Sequence, residues 1–322
     1  MPDTTCHRLC QRQEFDSRLR LRESHLTAPD LVCVQEVQDN TGPTNDGTVD
    51  ASATWNAVTS AISTAGEPSY QYRQIDPVNN ADGGEPGGNI RQGFLFRTDR
   101  GLSFVDRAGG TSTASTSVVS GTSGPQLTYS PGRINPTSTA FSSSRKPLAG
   151  EFTYNGKTLF VLANHFNSKG GDQPLLGHWQ PPVRSSETQR AQQAAIVGDF
   201  VTQIESLDAQ AHIVVCGDLN DYEFSDTLNT LKSGGRLENL TDRLTANARY
   251  TYVYDGNAQT LDHILVSPGL AARTTITNKP VHVNAEYLVA NRLSDHDPQW
   301  ARLSFVKKIF IPMAMKAAQA EW

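Results

Sequence analysis

At 322 residues and 37% hydrophobic, the chain can bury a full core, as one large domain or two small ones. A net charge of −5 argues against a broad cationic surface that neutralises many phosphates at once, but leaves room for an enzyme that holds a phosphate through a metal ion. No run of about 18 apolar residues exists to span a membrane, and the opening MPDTTCHRLCQRQEF lacks the apolar centre of a signal peptide.

In chain order, strand patterns fall at LVCVQ (31–35), YQYRQI (70–75), IRQGFLF (90–96), LSFV (102–105), GEFTY (150–154), TLFVLANHF (158–166), HIVVCG (212–217), TLDHILV (260–266) and PQWARLSFV (298–306). Helical spacing predicts helices over 53–65, 187–207 and 225–232. Ser186 and Gln189 have the spacing of a capping box for the longest of these. The Ser/Thr/Gly stretch at 108–126 reads as loop or edge structure, and neither it nor the Gly-rich 79–89 has a phosphate-cradling P-loop's spacing. Four scattered cysteines build no disulfide framework: Cys33 and Cys216 read as small buried hydrophobes, and Cys6 and Cys10 lack the partners of a zinc set. With no repeat and no linker, one domain of mixed α/β (α+β) class is expected.

Polar groups recur where strands end: Glu36, His165 and Asn167, Asp218 and Asn220, Asp262, and Asp295 with His296. Taken singly each has a bland reading. A Glu after a strand is commonly a solvated turn residue, Asp-Leu-Asn-Asp can be an Asx turn or helix cap, and Asp297 before Pro298 reads as turn chemistry. Five strands ending this way point to one shared rim, because a carboxylate in an apolar strand needs a partner or a metal to offset desolvation.

The ordered blocks Gln35-Glu36, Asn164-His165, Gly217-Asp218-Leu219-Asn220, Leu261-Asp262-His263 and Ser294-Asp295-His296-Asp297-Pro298 resemble the endonuclease/exonuclease/phosphatase superfamily, which includes DNase I-like nucleases. GGNIRQGFLF, SSRKPLAGEF, NHFNSKGGDQP and YVYDGNAQTLDHILVS are most similar to its secreted bacterial nuclease branch. The resemblance implies a four-layer α/β sandwich of two packed mixed sheets flanked by helices. It implies Glu36 as the main Mg²⁺ ligand, with Asp295 contributing through water, and Mn²⁺ or Ca²⁺ as alternative ions. His296 would take the proton from the attacking water with Asp262 fixing its tautomer, and Asp218 would orient the nucleophile or assist the leaving group. Asn220 and His165 would donate to phosphate oxygens, with Asn167 as a further donor and Arg145 and Lys169 as either phosphate contacts or solvated surface charges. His263, on the opposite strand face, is left out.

Family members begin with a strand ending in an Asn beside the metal, and the residues before Glu14 contain neither. The domain is therefore expected to span 14–306 without that first strand, followed by a tail, 307–322, that packs on the core, fills part of the missing strand's space or is disordered. The implied activity is Mg²⁺-dependent phosphodiester hydrolysis of DNA or RNA by a monomer with no membrane span. The alternatives are a phosphatase or lipid phosphodiesterase, and a non-catalytic binding module that keeps the fold. The family branch implies export, whereas the chain as given shows no signal peptide.

Overall fold

The computed structural model describes residues 28–174 and 176–305. Cys6, Cys10, the place of the family's first strand and the 307–322 tail lie outside the described residues.

Strands β1 (Leu31–Val37), β2 (Gln71–Gln74) and β3 (Arg91–Phe96) make one antiparallel sheet in the order β1-β3-β2, and helix α1 (Ser52–Thr64) lies between β1 and β2 in the chain. Next come β4 (Leu102–Phe104), the hairpin β5 (Val118–Gly121) and β6 (Gly124–Leu127), then β7 (Gly132–Arg133), β8 (Leu148–Tyr154) and β9 (Lys157–His165). Helix α2 (Ser186–Leu207) leads into β10 (His212–Asp218), and helix α3 (Asp226–Lys232) into β11 (Glu238–Asn239). The chain ends with the hairpin β12 (Tyr252–Tyr254) and β13 (Asn257–Gln259), then β14 (Asp262–Val266), the short helix α4 (Pro268–Ala271), and the paired β15 (Thr274–Pro280) and β16 (Gln299–Phe305). A seven-stranded sheet runs β11-β14-β10-β9-β8-β4, with β7 added on β8. It is mixed, because β9 and β10 are parallel and the other pairs antiparallel.

The period-2 alternation of side chains builds the layers. On β9 and β10, Phe160, Leu162, Ile213 and Val215 face α2, where they meet Val197, Val201 and Ile204. Val161, Ala163 and Cys216 face the other way and meet Phe94 and Phe96 of β3. Leu95, one residue out of phase, turns to α1 and joins Trp55. The result is helix, sheet, sheet, helix. Hairpin β15–β16 covers the same face of the large sheet farther along, packing Ile276, Ala301 and Leu303 on Val214 and Ile264. Among the described residues β1 ends its sheet on the side away from β3.

One expectation changes. Ser186 is not half of a capping box: its hydroxyl donates to Asp172 and accepts from Arg190, Asp172 also takes the Ser186 N–H at 2.9 Å, and Gln189 reaches Ala140 and Ser142 instead. A buried carboxylate 14 residues upstream supplies the cap that local spacing assigned to the serine. The 108–126 stretch, expected as loop or edge structure, carries all of the two-stranded hairpin β5–β6 but Leu127, which is fully buried against the α2-side core.

Between the sheets, Phe152 meets Phe94, Phe96 and Phe104 edge to face at 5.5, 5.7 and 4.9 Å. Phe152→Ala removes this fully buried hub and is expected to cost about 3–5 kcal/mol. A urea unfolding midpoint unchanged from wild type would show that the sheets do not depend on it.

Candidate active site

Pairing register alone brings three of the expected residues into a row. Asp218 lies opposite His165 across the parallel β9–β10 pair and opposite Asp262 across the antiparallel β10–β14 pair. Directly opposed residues share a face of the sheet, so one imidazole and two carboxylates stand side by side at one rim.

Glu36 arrives from the other sheet by a different device. Regular alternation would send it to the α1 side with Val32 and Val34. The β1–β3 register slips by one residue between Val34 and Val37, and Glu36 takes a positive φ of 57°. This β-bulge re-aims the side chain to the rim, where Glu36 Oε1 lies 3.9 Å from His165 Nε2. Bulges of this kind are common beside active sites.

Gln35 ties the sheets together at the same level, its amide donating to Asn164 O at 3.1 Å while its carbonyl accepts the Asp218 N–H at 3.1 Å. Gly217 leaves the room this needs. A Cβ there would stand 1.9 Å from Asn164 O and 2.5 Å from Gln35 Nε2, and its φ of 133° already disfavours other residues. Cys33 and Cys216 meet below them, Sγ to Sγ at 2.8 Å, both free.

His296 enters from the loop before β16. Asp297 holds that loop by accepting the N–H groups of Val283, Asn284 and Ala285 at 2.7 to 3.0 Å, and Asn284 Nδ2 donates to His296 O at 2.6 Å. The expected turn residue is therefore a buried anchor. His296 Nδ1 sits 2.7 Å from Asp262 Oδ2, and Thr251 Oγ1 braces Asp262 by accepting its N–H at 3.2 Å. Asp218, Asp262 and His296 each place a ligand-capable atom within 4.8 Å of the others, among the described residues. Glu36 and Asp295 stand outside that group but within electrostatic reach of it.

The charges answer one another. Burial pushes the Asp218 carboxyl up to about 7 against the pull of His296, and Asp262 and Glu36 push the same way as burial. Burial also raises Glu36, against His296 and Arg145, although half of its side-chain area stays open, as for a group on the floor of an open cleft. For His296, burial opposes the proton, but the Asp262 and Asp218 charges and the Asp262 hydrogen bond outweigh it and hold the ring well above an ordinary histidine. Asp262 is likewise held low: burial would raise it, and the His296 charge and hydrogen bond prevail. His165 goes the other way, lowered by burial and by the Arg145 and His296 charges. An under-neutralised set of hard oxygen donors suits a divalent cation.

Arg145 supplies the complement. It is buried, donates Nη2 to Phe166 O at 2.8 Å, leaves Nε without a partner, and lies in the field of Glu36 and Asp218. Asn220, at a φ of 51°, donates its backbone N–H to Asp218 Oδ1 at 2.8 Å and its side chain to Phe166 O at 3.1 Å. A cation-seeking carboxylate group beside a buried guanidinium with an unpartnered Nε suits a phosphate ester held with its metal. Lys169 is less available: it lies 3.3 Å from Asp221 and over the Tyr222 ring. Asn167 follows β9 half-buried, with its backbone N–H donating to Gln193. His263 is occupied elsewhere, between Asn239 and Asp221 O.

Three contributors went unassigned in the sequence: Gln35, Thr251 and Tyr252, whose ring packs 4.7 Å from that of His296. A signal existed for the last. Asp255-Gly256, following Tyr252-Val253-Tyr254, is a two-residue hairpin turn, and both residues have positive φ.

A sequence model of the Endonuclease/Exonuclease/phosphatase family matches residues 10–296. No curated protein sequence matches. Among solved structures, that of D. rerio TDP2 complexed with single strand DNA product superposes with a TM-score of 0.54 at 16% identity, covering 91% of this chain and 92% of that one. The human Nocturnin catalytic domain with bound sulfate gives 0.53 at 16% identity over 91% and 88%. The Bacteroides thetaiotaomicron mannosyl-6-phosphatase gives 0.53 at 16% identity over 94% and 95%. At these identities the likeness is one of fold.

The two site histidines should separate in a proton-NMR titration of the metal-free protein, His296 holding its proton well above its ordinary 6.5 and His165 staying neutral well below it. Because the His296 value is raised by folding, its contribution to stability is complete below about pH 6.5 and lost as pH climbs through the folded value. Asp262→Asn should bring His296 down. A His296 signal that titrates normally in wild type would contradict the pairing.

Proposed function

The chain belongs to the endonuclease/exonuclease/phosphatase family, and from that premise we propose that it is a Mg²⁺-dependent phosphodiester hydrolase of nuclease type, acting on DNA or RNA. The observation that carries the proposal is the Asp262–His296 pair, 2.7 Å apart and aimed at the rim where Asp218, Glu36 and His165 converge.

Glu36, with Asp295 at longer range, would hold the cation. When bound, the ion would supply positive charge to the phosphoryl oxygens and, by offsetting the carboxylates, leave His296 free to lose its proton near neutral pH. The rest of the chemistry belongs to side chains. His296, oriented by Asp262 through Nδ1, presents Nε2 to the water that attacks phosphorus and takes its proton. Asp218, buried between His165 and Asp262 and able to hold a proton near neutrality, orients the water or gives a proton to the leaving oxygen. His165 Nε2 lies 3.6 Å from Asp218 and 3.9 Å from Glu36, too far to be committed to either, and donates to a phosphoryl oxygen. Asn220 Nδ2, shared between Phe166 O and Asp218 Oδ2, positions Asp218, and the unpartnered Nε of Arg145 adds buried positive charge beside the developing negative charge. Asn167 extends this line, and Lys169 contributes field through its place beside Asn220 O.

A smaller ester, as for a phosphatase, would use the same centre, and the net charge of −5 favours it to that extent. A non-catalytic module would have no need of so many desolvated carboxylates. Plasmid DNA and an RNA of similar length should be cut with Mg²⁺ and not with chelator. His296→Ala should lower the rate about 10²- to 10⁴-fold. A folded protein that cuts neither polymer yet hydrolyses a phosphomonoester would move the assignment to the phosphatase; no hydrolysis of any ester would leave the module.

A further inference from the structure

Two aromatic pairs begin at the catalytic rim and end in solvent. One runs from His296 through Tyr252, at 4.7 Å, to Tyr254, whose ring lies 6.3 Å farther on and within 9° of parallel. Both tyrosines sit on β12, two residues apart and so on one face. Thr251, the residue just before β12, is buried and braces Asp262, so the segment that carries the rings is also tied to the catalytic pair. The other pair starts two residues past Asn220. Tyr222 is buried and Phe224 stacks on it at 5.3 Å and 16°, with Lys169 Nζ 4.2 Å over the Tyr222 ring and 3.4 Å from Asn220 O.

The outer ring of each pair is exposed, Tyr254 by 56% and Phe224 by 65%. Burial of an aromatic ring is strongly favourable, so two rings left open next to one site are surface held ready for a ligand with flat faces. The charge balance points the same way. At −5 the protein cannot rely on many phosphate contacts to hold a polyanion, and stacking on bases is an attraction that does not need them. Bases inside a duplex have no free faces; those of an unpaired strand do.

We propose that Tyr254 and Phe224 are base-stacking platforms for an unpaired strand of nucleic acid whose phosphodiester lies at His296. This names the substrate class within the function proposed above and rests on it, but its test does not need hydrolysis. An end-labelled oligothymidylate of about eight nucleotides and a base-less oligomer of the same length and charge are titrated with the protein in the presence of chelator, and binding is read by fluorescence anisotropy. An oligouridylate in the same assay shows whether the sugar is discriminated.

The base-bearing strands should bind roughly 5- to 100-fold tighter than the base-less one. Tyr254→Ala and Phe224→Ala should each remove part of that difference and leave binding of the base-less strand as it was, and Tyr254→Phe, which keeps a ring, should restore it. Equal affinity of the wild-type protein for the base-bearing and base-less strands would overturn the proposal, as would alanine variants that weaken both alike. Base-dependent binding by a protein that cuts no polymer would sink the nuclease reading and leave the platforms standing.

Discussion

Asp218 directly opposite Asp262 is the constraint on which the site depends. Like charges facing across a strand pair repel, and here both are desolvated. The arrangement persists because His296 is brought within reach of both from the far end of the chain, and their joint field holds its pKa well above that of an ordinary histidine. Most of the surrounding structure serves that placement. Asp297 gathers three backbone N–H groups to fix the loop, Asn284 holds the His296 carbonyl, and Thr251 braces Asp262 while its neighbour Tyr252 packs on the imidazole.

The two sheets are held in register at the same level by small, specific features. Gly217 gives up its side chain so that Gln35 can bridge Asn164 and Asp218, and the facing Cys33 and Cys216 fill the space beneath. The aromatic cluster around Phe152 lies on the same sheet-to-sheet seam. Apolar packing thus sets the distance between the sheets, and hydrogen bonds at the rim set how their ends align. The division is physically sensible: burial is strong but undirected, whereas a bridging amide tolerates little displacement.

Much of this was readable in advance. Period-2 runs located β1, β3, β9, β10 and β16 within a residue or two, and helical spacing located α1, α2 and α3. A misreading arose where a distant partner decided a local matter. Ser186 looked like a cap because of Gln189 three residues on, but the buried Arg190 drew both the serine and Asp172 into one cluster with Asp221. Residues 118–127, poor in apolar content, form the edge hairpin β5–β6, as expected of loop or edge structure, while Leu127 enters a core that the segment itself cannot reveal.

The sequence by itself determined the fold class, the long core strands and the identity of the polar groups at their ends, since alternation and strand-end chemistry are local properties written in neighbouring residues. Tertiary structure decided which of those groups meet. Glu36 reaches the rim only through a bulge that local alternation does not predict, Arg145 is left with an open donor only by the way its neighbours pack, and Lys169 is drawn aside to Asp221. Tyr254 and Phe224 acquire their place next to the site from a hairpin and a turn whose positions depend on strands far away in the chain. Register, bulges and close approach are set by contacts between segments tens of residues apart in the chain, and more than a hundred for the Gln35 bridge, and no local pattern encodes a distance of that kind.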